Sequence, residues 1–274
     1  MLTIKTPHSP ITMTTPSVLV FAGSDPSGGA GIAADIEAIA AQGAHALAII
    51  TAITVQDNDQ VFAVHPVAAD LILQQAQVLA DKIAISAIKI GIIASKANAT
   101  AIADWITRYK IQHPTLPVIL DPVLASGHGD SLAVEDPVEA LAPLISIATL
   151  ITPNLPEAAK LCPKARSPLQ QAQRLMEYGA VDVLIKGGHG DDETITNSWF
   201  HQDEGDVQVK HSQWERLDGA FHGSGCTLAS AIAGQLACGK AMQTAIEFGL
   251  AYCHQTLEND YSIAPGQMIP QRHP

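Results

Sequence analysis

Short, continuously apolar runs alternate with longer stretches of helical periodicity along most of the chain. Runs at residues 18–22, 45–55, 83–90, 118–120, 150–152 and 181–186 predict buried strands. Periodic stretches at 32–41, 68–81, 98–110, 169–178, 228–237 and 241–257 predict helices, with Gly43, Gly179 and Gly239 as stops. Residues 196–213 read as a hairpin turning at Asp203-Glu204-Gly205-Asp206. No repeat, low-complexity tract or linker divides the chain. Strand alternating with helix predicts one α/β domain over 17–266, a mostly parallel sheet with helices on both faces. The Thr- and Pro-rich residues 1–16 predict a disordered N-terminal tail, and 267–274 a C-terminal tail.

Composition narrows this picture. The 274 residues are 47% hydrophobic but only 4% aromatic, which points to the aliphatic, alanine-rich interior of a sheet buried on both sides. A formal net charge of −12 excludes a general nucleic-acid surface, which needs a basic face. No basic run suits anionic lipid. The acidity leaves an anionic substrate open, because a few amides and lysines suffice to hold phosphate. Cys162, Cys226, Cys238 and Cys253 lack CxxC spacing and resemble neither a disulfide framework nor a zinc site. The apolar run at 44–55 is too short to span a membrane. A soluble, cytoplasmic protein is expected.

In sheets of this kind, ligands gather at the carboxyl ends of the strands. Asp25, Lys89, Asp121, Asn154 with Glu157, and Lys186 all fall at predicted strand ends. Gly23-Ser24-Asp25-Pro26-Ser27-Gly28-Gly29-Ala30-Gly31 follows the first strand and lacks the lysine of a Walker loop. His222-Gly223-Ser224-Gly225-Cys226-Thr227 leads into an alanine-rich helix. The first amides of a helix have no intrahelical partner and sit at the positive end of its dipole, where phosphate binds and a thiolate is favoured. Each feature has a plain structural reading. A glycine turn before a core helix is common, Asn154 and Glu157 suit a helix start, Asp121-Pro122 suits a strand end, and His189 and His222 suit loops. Together, acid, amide, lysine and an anion-binding turn form the inventory that phosphoryl transfer requires.

The segments AGSDPSGGAG at 22–31 with Ala34-Asp35, ITAITVQ at 50–56, Lys89-Ile90-Gly91, Asp121-Pro122-Val123, ITPNLPEA at 151–158, IKGGH at 185–189 and HGSGCT at 222–227 carry a resemblance. The chain resembles the hydroxymethylpyrimidine/phosphomethylpyrimidine kinases of thiamin synthesis, in the ribokinase-like superfamily. That resemblance implies a three-layer α/β/α sandwich using ATP and Mg2+. The substrate it implies is 4-amino-5-hydroxymethyl-2-methylpyrimidine, phosphorylated first to the monophosphate and then to the diphosphate. It assigns Gly223, Ser224, Gly225 and Cys226 to the anion hole, with Cys226 as base. It assigns Asp35 and Gln56 to the polar edge of the pyrimidine, and Gly23, Ala30 and Ile92 to the pocket. Asp121 and Glu157 fall to the Mg-phosphate side with Asn154, and Lys186 to the nucleotide phosphates. A homodimer is expected by analogy, with no fused synthase domain. Two departures bear on the pocket. Ser224 replaces the family's usual threonine and keeps the hydroxyl, and Ile92 replaces a frequent methionine and alters the pocket's shape. The rival readings are a pyridoxal kinase-like activity and a catalytically silent pyrimidine sensor.

Overall fold

A computed structural model describes residues 14–124, 137–188, 190 and 192–273. Its elements run β1 (Ser17–Ser24), α1 (Gly31–Ala41), β2 (His45–Gln56), β3 (Val61–Pro66), α2 (Ala69–Ala80), β4 (Ile85–Ile90), α3 (Lys96–Gln112), β5 (Val118–Leu120) and α4 (Pro137–Ile145). They continue as β6 (Leu150–Ile151), α5 (Leu155–Leu161), α6 (Pro168–Glu177), β7 (Asp182–Ile185), β8 (Thr194–Asp203), β9 (Asp206–Glu215), α7 (Ser224–Ala237) and α8 (Met242–Glu258).

The nine strands form one sheet in the order β3-β2-β1-β4-β5-β6-β7-β8-β9. The run from β2 to β7 is parallel, and β3, β8 and β9 extend its edges antiparallel. Strand β1 shows why three layers form. Its Leu19 and Phe21 face a core shared with Ile72, Ile102, Trp105 and Leu144 of α2, α3 and α4. Its Val18, Val20 and Ala22 face the opposite core, with Ile39, Ala229, Ile232 and Ile246 of α1, α7 and α8. A strand buried on both sides has no polar face to alternate, hence the continuous apolar run. The parallel strands all end on one edge, and the candidate residues gather there.

Three elements escaped the sequence pattern. Strand β3 is half-exposed along its length, so no apolar run marks it. Helix α5 has seven residues, too few for a periodic signal, and α4 was also unanticipated. Helix α7 starts at Ser224, so the glycine turn itself supplies the first helical turn, and Cys226 lies in that turn as expected. The expected C-terminal tail is a correction. The backbone of this segment pairs with Ala220, Thr256 and Tyr261, and Arg272 is 2% exposed. A buried guanidinium persists only where acceptors meet it, and Arg272 reaches three. The domain therefore continues through 273. Residues 1–13 of the expected N-terminal tail, and His189 of the IKGGH segment, lie outside the described residues.

Candidate active site

The loop after β1 is wound around one carboxylate. Asp25 Oδ1 accepts from the Ser27 amide at 2.8 Å, and Oδ2 accepts from the Ala30 amide at 2.7 Å. The same Oδ2 lies 2.8 Å from His222 Nε2, which ties this loop to the turn before α7. Burial alone would raise the Asp25 carboxyl, but the hydrogen bonds from His222 and Ser27 outweigh it and leave it lowered.

The turn touches the loop backbone to backbone. Gly223 caps α7 with φ 75°, and a Cβ there would stand 2.2 Å from Gly29 O. Only glycine holds both that conformation and that approach. Ser224, Gly225 and Cys226 then fill the first turn of α7, where amides lack intrahelical acceptors. Across from them, Lys186 at the end of β7 places Nζ 2.9 Å from Asp121 Oδ1. Thr152 Oγ1 donates to the same oxygen at 3.2 Å. A Cβ on Gly225 would lie 3.1 Å from Lys186 Nζ, so the turn abuts the lysine. Asn154 and Glu157 form a reciprocal capping box at the start of α5, each accepting from the other's amide at 2.8 Å. Residues 154 and 186 also pair as an isolated bridge.

Between these groups lies a cavity of about 540 Å3. Gly23, Ala30, Gln56 and Ile92 line it beside β1, β2 and β4, and Asp121, Asn154, Glu157 and Lys186 line it beside β5, β6 and β7. Gly223, Ser224, Gly225 and Cys226 border it as well. Ile195, Trp214, Leu217, Leu250, His254 and Leu257 add a mostly apolar wall toward β8, β9 and α8. Sequence reasoning missed that wall, although Trp214 in a polar strand and the apolar face of α8 were visible signals. It also weighed His222 as a loop histidine and missed its partner Asp25.

Asp35 is the exception among the expected contacts and is corrected here. It is fully buried and absent from the cavity lining. Its Oδ1 accepts from Lys89 Nζ and from Ser230 Oγ, both at 2.7 Å, so a charged pair inside the apolar layer claims it. Burial raises Asp35 despite Lys89. Burial alone would lower Lys89, but Asp35 outweighs it and Lys89 is raised.

The electrostatics of the cavity are those of desolvated groups. Burial pushes Glu157 up to about 7, with Lys186 acting against that rise and Asp121 adding to it. Burial alone would lower Lys186, but Asp121 and Glu157 leave it raised. Burial pushes the Cys226 thiol up to about 11, with Lys89 only partly opposing it. The helix terminus was expected to favour the thiolate; desolvation at 8% exposure wins instead, and the thiol is held neutral at pH 7. Asp121 and Glu157 share the cavity as a two-carboxylate donor set. That fits Mg2+, which takes one or two carboxylates and completes its shell with water and phosphate oxygens.

The family model described as phosphomethylpyrimidine kinase matches residues 25–271. The chain belongs to the phosphomethylpyrimidine kinase family. It is 37% identical over 267 residues to the hydroxymethylpyrimidine/phosphomethylpyrimidine kinase of Mycobacterium tuberculosis, covering 95% of this chain and 94% of that protein. It is 31% identical to the thiamine biosynthesis multifunctional protein ThiED of Corynebacterium efficiens, covering 92% of this chain but only 34% of that protein. This chain thus spans about a third of that relative. Among solved structures, the phosphomethylpyrimidine kinase of Clostridium difficile superposes with TM-score 0.72 at 29% identity, covering 89% of this chain and all of that one. The Staphylococcus aureus pyridoxal kinase bound to AMP-PCP and pyridoxal gives TM-score 0.80 at 25% identity, covering 94% of each chain. Family membership accounts for the motif order, and the ribokinase-like three-layer fold is the expected one.

Proposed function

We propose that this protein transfers the γ-phosphoryl group of ATP to the hydroxymethyl oxygen of 4-amino-5-hydroxymethyl-2-methylpyrimidine, and then a second to the resulting monophosphate, in thiamin biosynthesis. One observation carries the proposal. The amide turn 223–226 borders a single cavity, with an apolar pocket on one side and a lysine-carboxylate cluster on the other.

Each group has a task. Gln56 offers both a donor and an acceptor to an aminopyrimidine edge, a task it performs without Asp35. Gly23, Ala30 and Ile92 pack the ring. Lys186 neutralises nucleotide phosphate oxygens, with Asn154 beside it. Asp121 and Glu157 would hold Mg2+, which supplies charge neutralisation at the phosphates when bound. Cys226 acts as the thiolate, its own proton having first left to solvent: the substrate oxygen attacks the γ-phosphorus, its proton passes to Cys226 Sγ, and the bond to the bridging β–γ oxygen breaks to leave ADP. The amides of residues 223–226 receive the charge on the moving phosphoryl oxygens. In the second transfer, a phosphate oxygen already ionised attacks and needs no base. Trp214, Leu250 and His254, which line the cavity, would face the nucleotide base.

ADP release measured with the pyrimidine, then with its monophosphate, tests the proposal. Release with both supports it, and no release with either overturns it. Cys226→Ala should abolish the first transfer while the protein stays folded; full activity there refutes the base assignment. The likeness to a pyridoxal kinase structure favours pyridoxal as a second acceptor to compare. We also propose a cytoplasmic homodimer. Free thiols support the compartment, and exposed Ile53, Val55 and Phe62 along β2–β3 support the assembly. A monomeric mass in solution would refute the dimer. No helix among the described residues is long and apolar enough to cross a membrane, and the acidic charge gives no support to a nucleic-acid partner.

A further inference from the structure

The side chain of Arg272 is wholly buried, and it bonds to both loops that meet at the cavity. Its Nη2 donates to Gly29 O, in the loop after β1. Its Nε donates to Thr227 Oγ1 at 2.8 Å, and that hydroxyl donates in turn to Gly223 O at 2.9 Å. Gly29 O is the atom against which Gly223 packs. One guanidinium therefore holds both sides of the same seam, Gly29 directly and Gly223 through Thr227. Its third arm, Nη1, reaches Glu37 Oε2 of α1 at 3.3 Å.

The segment carrying Arg272 is itself fastened to the site. The His222 amide donates to Met268 O and the Met268 amide to Ala220 O, each at 2.8 Å. The Gln271 amide donates to Thr256 O, and Tyr252 Oη to Arg272 O, each at 2.9 Å. A buried guanidinium is costly to desolvate, and an apolar side chain of equal volume would serve stability as well or better. What an apolar side chain cannot supply is three directed donors reaching a carbonyl, a hydroxyl and a carboxylate.

We propose that Arg272 is a positioning residue for phosphoryl transfer: its guanidinium sets the separation between the acceptor loop at Gly29 and the phosphate turn at Gly223. The proposal rests on the kinase reading above. Transfer requires near-contact of the reacting atoms, and a misplacement of about 1 Å costs about a hundredfold in rate.

Arg272→Lys, Thr227→Val and the double variant test it. Each single variant should lower kcat for the pyrimidine about ten- to a hundredfold while KM for ATP changes less than about twofold, because the nucleotide side is untouched. The double variant should fall no further than the worse single, since both break one link. Methylguanidinium should restore turnover to Arg272→Ala. Near-normal kcat in folded single variants, or additive losses in the double, overturns the proposal. Amide hydrogen exchange in Arg272→Lys gives a readout independent of activity. Faster exchange confined to residues 28–31 and 223–227 supports the clamp, and unchanged exchange there overturns it. A wild-type protein that phosphorylates nothing would sink the kinase reading and leave this exchange test standing.

Discussion

Replacing Glu157 with glutamine should stabilise the protein above neutral pH while destroying its turnover. The carboxyl is pushed from 4.5 up to about 7, first by burial and then by Asp121, with Lys186 opposing. The folded state therefore binds this proton more tightly than the unfolded chain. The stability Glu157 contributes is complete below about pH 4.5 and is lost as pH rises through about 7. A shift of that size corresponds to roughly 3 kcal/mol at alkaline pH, an upper figure because Lys186 and Asp121 readjust when the charge is gone. Glutamine keeps the shape, and its carbonyl can still accept from the Asn154 amide, so the capping box at α5 survives. Urea unfolding at pH 4 to 8.5 and fixed ionic strength is the assay. The difference between variant and wild type should be near zero at pH 4, grow through pH 6, and level off favouring the variant above pH 7.5. Turnover should collapse, because an amide does not replace a carboxylate as a Mg2+ ligand. A stability difference independent of pH, or one growing toward acid, would refute the reasoning.

Other perturbations read other parts of the site. With its thiol pushed up to about 11, Cys226 in the unliganded protein should react slowly with iodoacetamide at pH 7.5 and accelerate as pH rises toward 11; mass spectrometry of the modified peptide gives the rate, and fast labelling at neutral pH would contradict a neutral thiol. Gly223→Ala sets a Cβ 2.2 Å from Gly29 O at φ 75°, so it should part the two loops, lower the melting temperature and remove activity. Gly28→Ala has φ 79° but nothing within 4 Å, so it should cost only the backbone strain of about 1–2 kcal/mol and keep most turnover. Equal losses in the two alanine variants, by thermal melts and ADP release, would mean that contact at the seam is irrelevant.

Legibility in the sequence follows how locally each feature is caused. The parallel strands were readable because burial on both faces makes their aliphatic runs continuous, and their ends then marked where Asp121, Asn154 and Lys186 gather. The turn at 223–226 was readable because its conformation demands glycine at one position whatever surrounds it. Asp35 was misplaced for the opposite reason. A charge inside the alanine-rich α1 is conspicuous, and so is Lys89 inside β4, but the two are 54 residues apart. The motif that names Asp35 does not say that Lys89 claims it. Arg272 is the extreme case, 243 residues from Gly29, on a segment whose composition looks like a tail. Burying an ion forces it to find partners, and those partners can lie anywhere the fold brings close. A charged residue in an apolar element therefore signals a buried bond without naming its other end. The contacts that hold this site's two loops together belong to that class, so only the three-dimensional arrangement exposes Arg272 as part of the machinery.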